Sequence, residues 1–307
     1  MRRSLICLVL VTAAAAACSR TPDPVGAARP MSLPVINLDD LRLAGQARSV
    51  ALAFLRAYAQ SPADGGRALQ PLMEGVLARE WAHWVAIQNA GFPGGIDGTL
   101  QLGHLGRAAP VRAQDGSLDD LVAYGVAVRA TVTFSLTDDA GDPLPPLRRL
   151  MDGLIVMVQG PDGAFRVLSF ERDGLRLDEF FRVFDGALER RGGVTVEIRN
   201  LVMLERWQFG IEIRNDTERP LRIVPGLLAL LTQDEEPATE EQPLVAFPGR
   251  IPPGESAEGI VSFTVPAGSG ELDLQIAVAG PDGEATGFVF GVPVPPSGQE
   301  GSATPPP

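Results

Sequence analysis

Few side chains in this sequence have the chemistry for catalysis or ligand binding. The only two histidines are His83 and His104. His83 stands between Trp81 and Trp84, so an imidazole and two indoles share one short stretch. Facing a cavity, either histidine could act as acid or base, and Tyr58 could donate a phenolic proton to a developing oxyanion. No nucleophile or paired carboxylate accompanies them, so a catalytic triad or a histidine metal cluster has little to draw on. The plainer assignment is two surface or hydrogen-bonded histidines and a core or rim tyrosine. Trp81, Trp84 and Phe92 could floor a pocket for an apolar or sugar ligand, although tryptophans at this spacing more commonly build core. The candidate pocket residues are therefore Tyr58, Trp81, His83, Trp84 and His104, and no catalytic residue, metal ligand or cofactor is expected. Asp138, Asp139 and Asp142 around Gly141 lack the register and distal glutamate of a calcium loop and read as a solvated hairpin. Asp234, Glu235, Glu236, Glu240 and Glu241 read as an exposed acidic loop able to meet a cationic partner.

The elements that must position these residues follow from periodicity. Ala47, Val50, Ala51, Phe54, Leu55 and Tyr58 recur at helical spacing, and Ser61-Pro62 with Gly65-Gly66 stops the run. A second helix fits Ala68 to Ala90, ending at Gly91 and Pro93. The period then changes to two. Short strands are expected over Thr99–His104 and Pro110–Gln114, and a long half-buried strand over Val122–Leu136, with Gly125 as a bulge or bend. A hairpin runs from Leu150–Gln159 through Gly160-Pro161-Asp162-Gly163 to Ala164–Glu171. Leu177–Arg191 reads as a linking helix whose Phe180, Phe181, Phe184 and Leu188 dock one domain on the other. From Val194 to Val294 strand follows strand, with Asn215-Asp216-Thr217 and Pro281-Asp282-Gly283 as turns, the pattern of an antiparallel sandwich.

Composition limits the role. The chain of 307 residues is 45% hydrophobic and 21% charged, enough to bury substantial cores. Its net charge of −12 becomes −14 without Arg2 and Arg3, which disfavours nucleic acid and anionic lipid headgroups as partners. Every basic residue is arginine, scattered singly or in pairs. Both cysteines, Cys7 and Cys18, lie at the N-terminus, so the expected body holds no disulfide. Arg2-Arg3, an apolar run from Leu5 to Val11 and an alanine tract ending in Cys18 read as an export signal, too short for a permanent span. Residues 20–34 (RTPDPVGAARPMSLP) read as a tether.

Ala15-Ala16-Ala17-Cys18 resembles a bacterial lipobox, with Ala15 where leucine is commonest. The resemblance implies that the Cys18 sulfur takes a diacylglyceryl group and that cleavage falls just before it. The alternative is ordinary signal cleavage with a free cysteine left over. Two or three acyl chains would anchor the protein stably, each buried methylene contributing about 0.8 kcal/mol. The opening AFLRAYAQSPADGG (residues 53–66) and the closing QGPDGAFRVLSFERDG (residues 159–174) resemble the nuclear-transport-factor-like cone shared with ketosteroid-isomerase-like proteins. The patterns WQFGIEIRNDTERPLRI, IPPGESAEGIVSFTVP and GFVFGVPV look like the telokin-like immunoglobulin-fold domains of bacterial lipoproteins. The expected fold is thus an α+β cone of two N-terminal helices and a curved antiparallel sheet, followed by an all-β immunoglobulin-like sandwich. The boundaries are a signal peptide over 1–17, a lipidated cysteine and tether over 18–40, and the cone over 41–174. A linking helix over 175–193, the sandwich over 194–294 and a proline-rich tail over 295–307 complete the chain. The expected role is an exported lipoprotein, held to the cell-envelope membrane through Cys18, that binds an envelope protein or a small ligand without catalysis. The alternatives are an enzyme using the cone cavity or a carrier of an apolar ligand.

Overall fold

A helix with Asp39 and Asp40 in its first turn, α1 (Leu38–Asp64), carries the apolar stripe into the core. It runs through Pro62 and ends where the Asp64 carboxylate accepts the backbone N–H groups of Gly66 and Ala68 at 2.9 and 3.0 Å. The structure, a computed structural model, describes residues 38–90, 96–111, 123–137, 141–239, 241–265 and 271–292. Cys18, Phe92, Asp138, Asp139 and the C-terminal tail lie outside the described residues. The second helix, α2 (Val76–Ala90), is shorter than its periodicity implies. Pro71 confines residues Gln70–Leu72 to a tight 3-10 turn, Met73 bridges to Val167, and Gly75 (φ 78°) makes the corner before α2 begins.

Three long antiparallel strands and a short fourth follow in sequence order, β1 (Ile96–Pro110), β2 (Ala123–Thr137), β3 (Pro143–Gln159) and β4 (Phe165–Ser169). The strand expected over Thr99–His104 is part of a longer one, β1, with register shifts at Leu102/His104 and Leu105/Ala108, and most of the strand expected over Pro110–Gln114 lies outside the described residues. Gly125 is no bulge. It pairs regularly with Ala109 and Val156, and a Cβ there would sit 2.7 Å from Val111 Cγ1 and 3.0 Å from Leu154 Cδ1, so close packing requires the glycine. The hairpin at Gly160–Gly163 forms between β3 and β4, with Gly163 at φ 77°.

The chain then makes a small ribbon, β5 (Glu171–Arg172) and β6 (Leu175–Arg176), and a single helical turn, α3 (Leu177–Phe180). The expected linking helix does not continue. Phe181–Val183 (β7) and Leu188–Arg191 (β8) pair instead with β9 (Val194–Met203). The stripe of Phe180, Phe181, Phe184 and Leu188 satisfies either geometry locally, and β9 offers backbone partners that an isolated helix lacks. Beyond β9 come β10 (Arg206–Asn215), β11 (Arg222–Ile223), β12 (Ala229–Thr232) and β13 (Leu244–Ala246). The last strands are β14 (Ser256–Thr264), β15 (Leu272–Ala279) and β16 (Ala285–Val292). One six-stranded sheet has the order β13-β14-β10-β9-β7, with β8 also on β9. In a second sheet β15 is the spine, flanked by β16 and by β11 and β12.

The fold is mostly β, and it is not a two-helix cone followed by an immunoglobulin-like sandwich. Residues from Asp39 onward form one compact unit. One face of the six-stranded sheet packs on the second sheet through Trp207, Phe209, Ile211, Ile213, Phe263 and Phe288. Its other face is also covered: Val202 of β9 and Ile260 of β14 belong to the core built by α1, α2 and the first sheet. A free-standing sandwich would show that face to water. Here α2 lies against β7 and β14, and a sheet covered on both faces joins the two halves. Asn215, in the turn expected from its sequence, is buried and fully paired. Its Nδ2 donates to Arg219 O and Ile251 O at 2.7 and 3.0 Å, and its Oδ1 accepts from Thr217 N–H and Oγ1–H.

Candidate functional site

The five residues singled out by sequence occupy three environments. Tyr58 of α1 and Trp81 of α2 meet in the core with ring centroids 5.3 Å apart and planes tilted by 50°, with Phe54, Phe134 and Phe170 around them. Trp84 is buried on α2. His83 faces the six-stranded sheet, and His104 stands exposed on β1. The structure thus brings Tyr58 and Trp81 together and separates both histidines from them.

Helical spacing places Glu80, His83, Trp84 and Ile87 on one face of α2, from which His83 reaches Glu258 of β14 and Glu80 reaches Arg199 of β9. At the meeting point Arg199 is the common partner of three carboxylates: Glu80 at 3.1 Å, Glu212 at 3.3 Å and Glu258 at 2.9 Å. A register shift of β9 between Ile198 and Asn200 turns Arg199 out to this face. His83 Nε2 lies 3.0 Å from Glu258 Oε2, an ion-pair contact off the axis of the ring N–H. The contact with Glu258 raises the His83 pKa against the opposing effects of burial and of Arg199. The same contact, opposed by burial and aided by Arg199, lowers that of Glu258. Beside Arg199 on β9, Asn200 is fully buried over Gly210, and neither of its side-chain polar atoms has a hydrogen-bond partner among the described residues. With a guanidinium at its centre this cluster is a clamp and not a metal cradle, and among the described residues no group of three or more histidine, cysteine or acidic side chains is placed to hold a metal ion.

A second polar site opens at the C-terminal ends of α1 and α2. A cleft there is walled by Tyr58, Phe134, Leu136 and Leu147 and carries two guanidinium groups, Arg149 of β3 and Arg172 of β5. Its empty space is about 410 Å³ with the open mouth included, but the room for water-sized molecules inside is only about 30 Å³. The Arg172 side chain is 2% exposed. Its Nε donates to Asp173 Oδ2 at 3.1 Å, its plane lies 5.7 Å from the centre of the Phe180 ring, and its two Nη groups have no hydrogen-bond partner among the described residues. Arg149 is 11% exposed and uses Nη1 alone, 2.6 Å from Glu205 Oε1. Burial acts against the Glu205 carboxylate, yet the charges of Arg149 and, further off, Arg172 keep its pKa below the ordinary value. Tyr58 is 4% exposed, and its hydroxyl likewise has no hydrogen-bond partner among the described residues. Ser61, Gln88 and Asn89 also line the cleft, and the unpartnered Nη groups of Arg172 with the Tyr58 hydroxyl are donors that an anionic group could use.

Sequence reasoning reached Tyr58 but neither arginine. The signal was strand alternation. Leu147, Arg149 and Met151 share one face of β3, so Arg149 points the same way as a buried methionine. Phe170 and Arg172 are related in the same way, two residues apart.

Among the described residues no helix is long and apolar enough to cross a membrane. No family model matches the chain, and no curated protein matches it.

Proposed function

We propose that this chain is an exported lipoprotein, anchored through acylated Cys18, whose folded body binds a ligand or an envelope partner without catalysing a reaction. The observation that carries this reading is the distribution of polar groups: Tyr58, His83 and His104, the residues best able to move protons, stand in a cleft, a charge clamp and an exposed strand, respectively. The cleft holding Tyr58 gathers the donors of Arg149 and Arg172 with no histidine in its lining to activate the Ser61 hydroxyl, an arrangement suited to holding an anion. Two charged arginines in its walls also make it a poor home for a wholly apolar cargo. The N-terminus supports the anchor through its arginine pair, its short apolar run and Ala15-Ala16-Ala17-Cys18. A proline-rich stretch follows, and the compact body begins only at Asp39. The test is the mass of the mature N-terminus of protein taken from its native membrane, beside a Cys18→Ala variant. A diacylglyceryl adduct on Cys18, with release of the variant from the membrane, is the expected result. An unmodified N-terminus on freely released protein overturns the reading.

A further inference from the structure

We infer that the cleft between the ends of α1 and α2 is a binding site for a small organic carboxylate, with Arg172 and Tyr58 gripping the carboxylate and the apolar wall receiving a short tail. This assignment rests on the reading of the protein as a binding module and gives that module a ligand class.

Three features of the site select this class. The first is the unused donor edge of Arg172. Asp173 occupies only Nε, which fixes the guanidinium and balances part of its charge, while the paired Nη groups remain unpartnered among the described residues in a side chain 2% exposed. A planar pair of parallel donors matches a planar carboxylate bidentately. The second is size. About 30 Å³ of interior room accommodates roughly one water-sized group. A flat carboxylate entering edge-on suits such a slot better than a tetrahedral phosphate with its extra oxygens. The third is the wall. Phe134, Leu136 and Leu147 line the same cleft as the guanidinium. The interior itself holds no more than the carboxylate, so an apolar tail of a few carbons would lie along this wall in the open mouth. Arg149, tied to Glu205 through Nη1, keeps Nε and Nη2 unpartnered among the described residues. Each guanidinium already has one carboxylate beside it, Asp173 on Arg172 and Glu205 on Arg149, so what the site offers an anion is its unused donor edges and not a surplus of charge.

The experiment is calorimetric titration of the full chain, kept in detergent, with butyrate as the probe and with acetate and inorganic phosphate for comparison. Saturable 1:1 binding of butyrate is expected, tighter than acetate by several-fold and not displaced by equimolar phosphate. Arg172→Gln is expected to weaken butyrate by ~10-fold or more, and Tyr58→Phe by ~3- to 10-fold. Because Arg172 is buried, its variant is first checked for native circular dichroism. If it does not fold, Tyr58→Phe, which removes only an unpartnered hydroxyl, decides. Absence of saturable butyrate binding, equal binding in the folded variants, or equally tight phosphate binding overturns the assignment. The N-terminal mass measured on the same sample judges the anchor separately, so an acylated protein that does not bind butyrate refutes the ligand class and leaves the lipoprotein standing.

Discussion

His83 and Glu258 give the molecule a pH window. The Glu258 pKa lies below its ordinary 4.5, chiefly through the His83 contact, so its contribution is complete above pH 4.5 and is lost as pH falls through the depressed value. The His83 pKa lies above its ordinary 6.5, chiefly through Glu258, so its contribution is complete below pH 6.5 and is lost as pH rises through the raised value. The pair therefore stabilises most between about pH 4.5 and 6.5. Glu80, Glu212 and Arg199 face the same point and set its background charge. The Tm difference between the natural chain and His83→Gln is expected to peak inside that window and shrink on both sides. Its maximum corresponds to about 1 kcal/mol, the scale of a half-exposed pair. A difference that does not change with pH refutes the coupling. His83 drew attention in the sequence because it sits between two indoles, but nothing near it in the chain announces Glu258. Periodicity reports which way a side chain points and not which distant strand it will meet, whereas Arg149 was readable by alternation from its place between Leu147 and Met151.

Among the elements, α1 and α2 are held by two different devices. Gly98 on β1 lets the α1 backbone approach so closely that a Cβ would fall 1.8 Å from the carbonyl oxygen of Ala59. Gly98→Ala must push the helix off the strand and is expected to lower stability by about 2–3 kcal/mol in denaturant titrations, with an unchanged m-value. Arg199 holds α2 to the six-stranded sheet by sharing one cation among Glu80, Glu212 and Glu258. Arg199→Met leaves three carboxylates facing one another. A loss of about 2 kcal/mol is expected, below the figure for full burial because the guanidinium is 27% exposed. Hydrogen exchange should show the α2 amides opening before those of β15, and protection unchanged in α2 would contradict the clamp. The legible elements were those with local signals: the stripe of α1, the alternation of β2 and the Asp-Gly turn before β4. The segment after Leu177 was not legible, because phenylalanines spaced to suit a helix pack as well along a strand once β9 supplies hydrogen-bond partners. Pro71 carried a signal of its own, and it marks where the second helix had to start late.

At the scale of the whole molecule, the six-stranded sheet belongs to both cores. A cone and a sandwich joined by a helix would melt as two domains. A sheet with Val202 and Ile260 in one core and Leu201 and Val261 in the other ties the two melts together. Calorimetry is expected to show one transition with equal calorimetric and van't Hoff enthalpies, and two resolved transitions would contradict the shared sheet. The sequence shows why this was hard to foresee. In β9, Val194, Val196 and Ile198 alternate with the polar Thr195, Glu197 and Arg199 as in a one-sided strand, and an apolar side chain for the second core comes only after the register shift, where Asn200, Leu201 and Val202 are buried in succession. The shared sheet also orders events in time. Synthesis proceeds from the N-terminus, so the α2 face of Glu80, His83 and Trp84 is made long before β14, the strand that helps to cover it. Trp81 can pack on Phe54 and Tyr58 early, but until the chain has been completed through Thr264 that other face lacks part of its cover. A premature stop before β14 should therefore yield an aggregating fragment and not a shorter working protein.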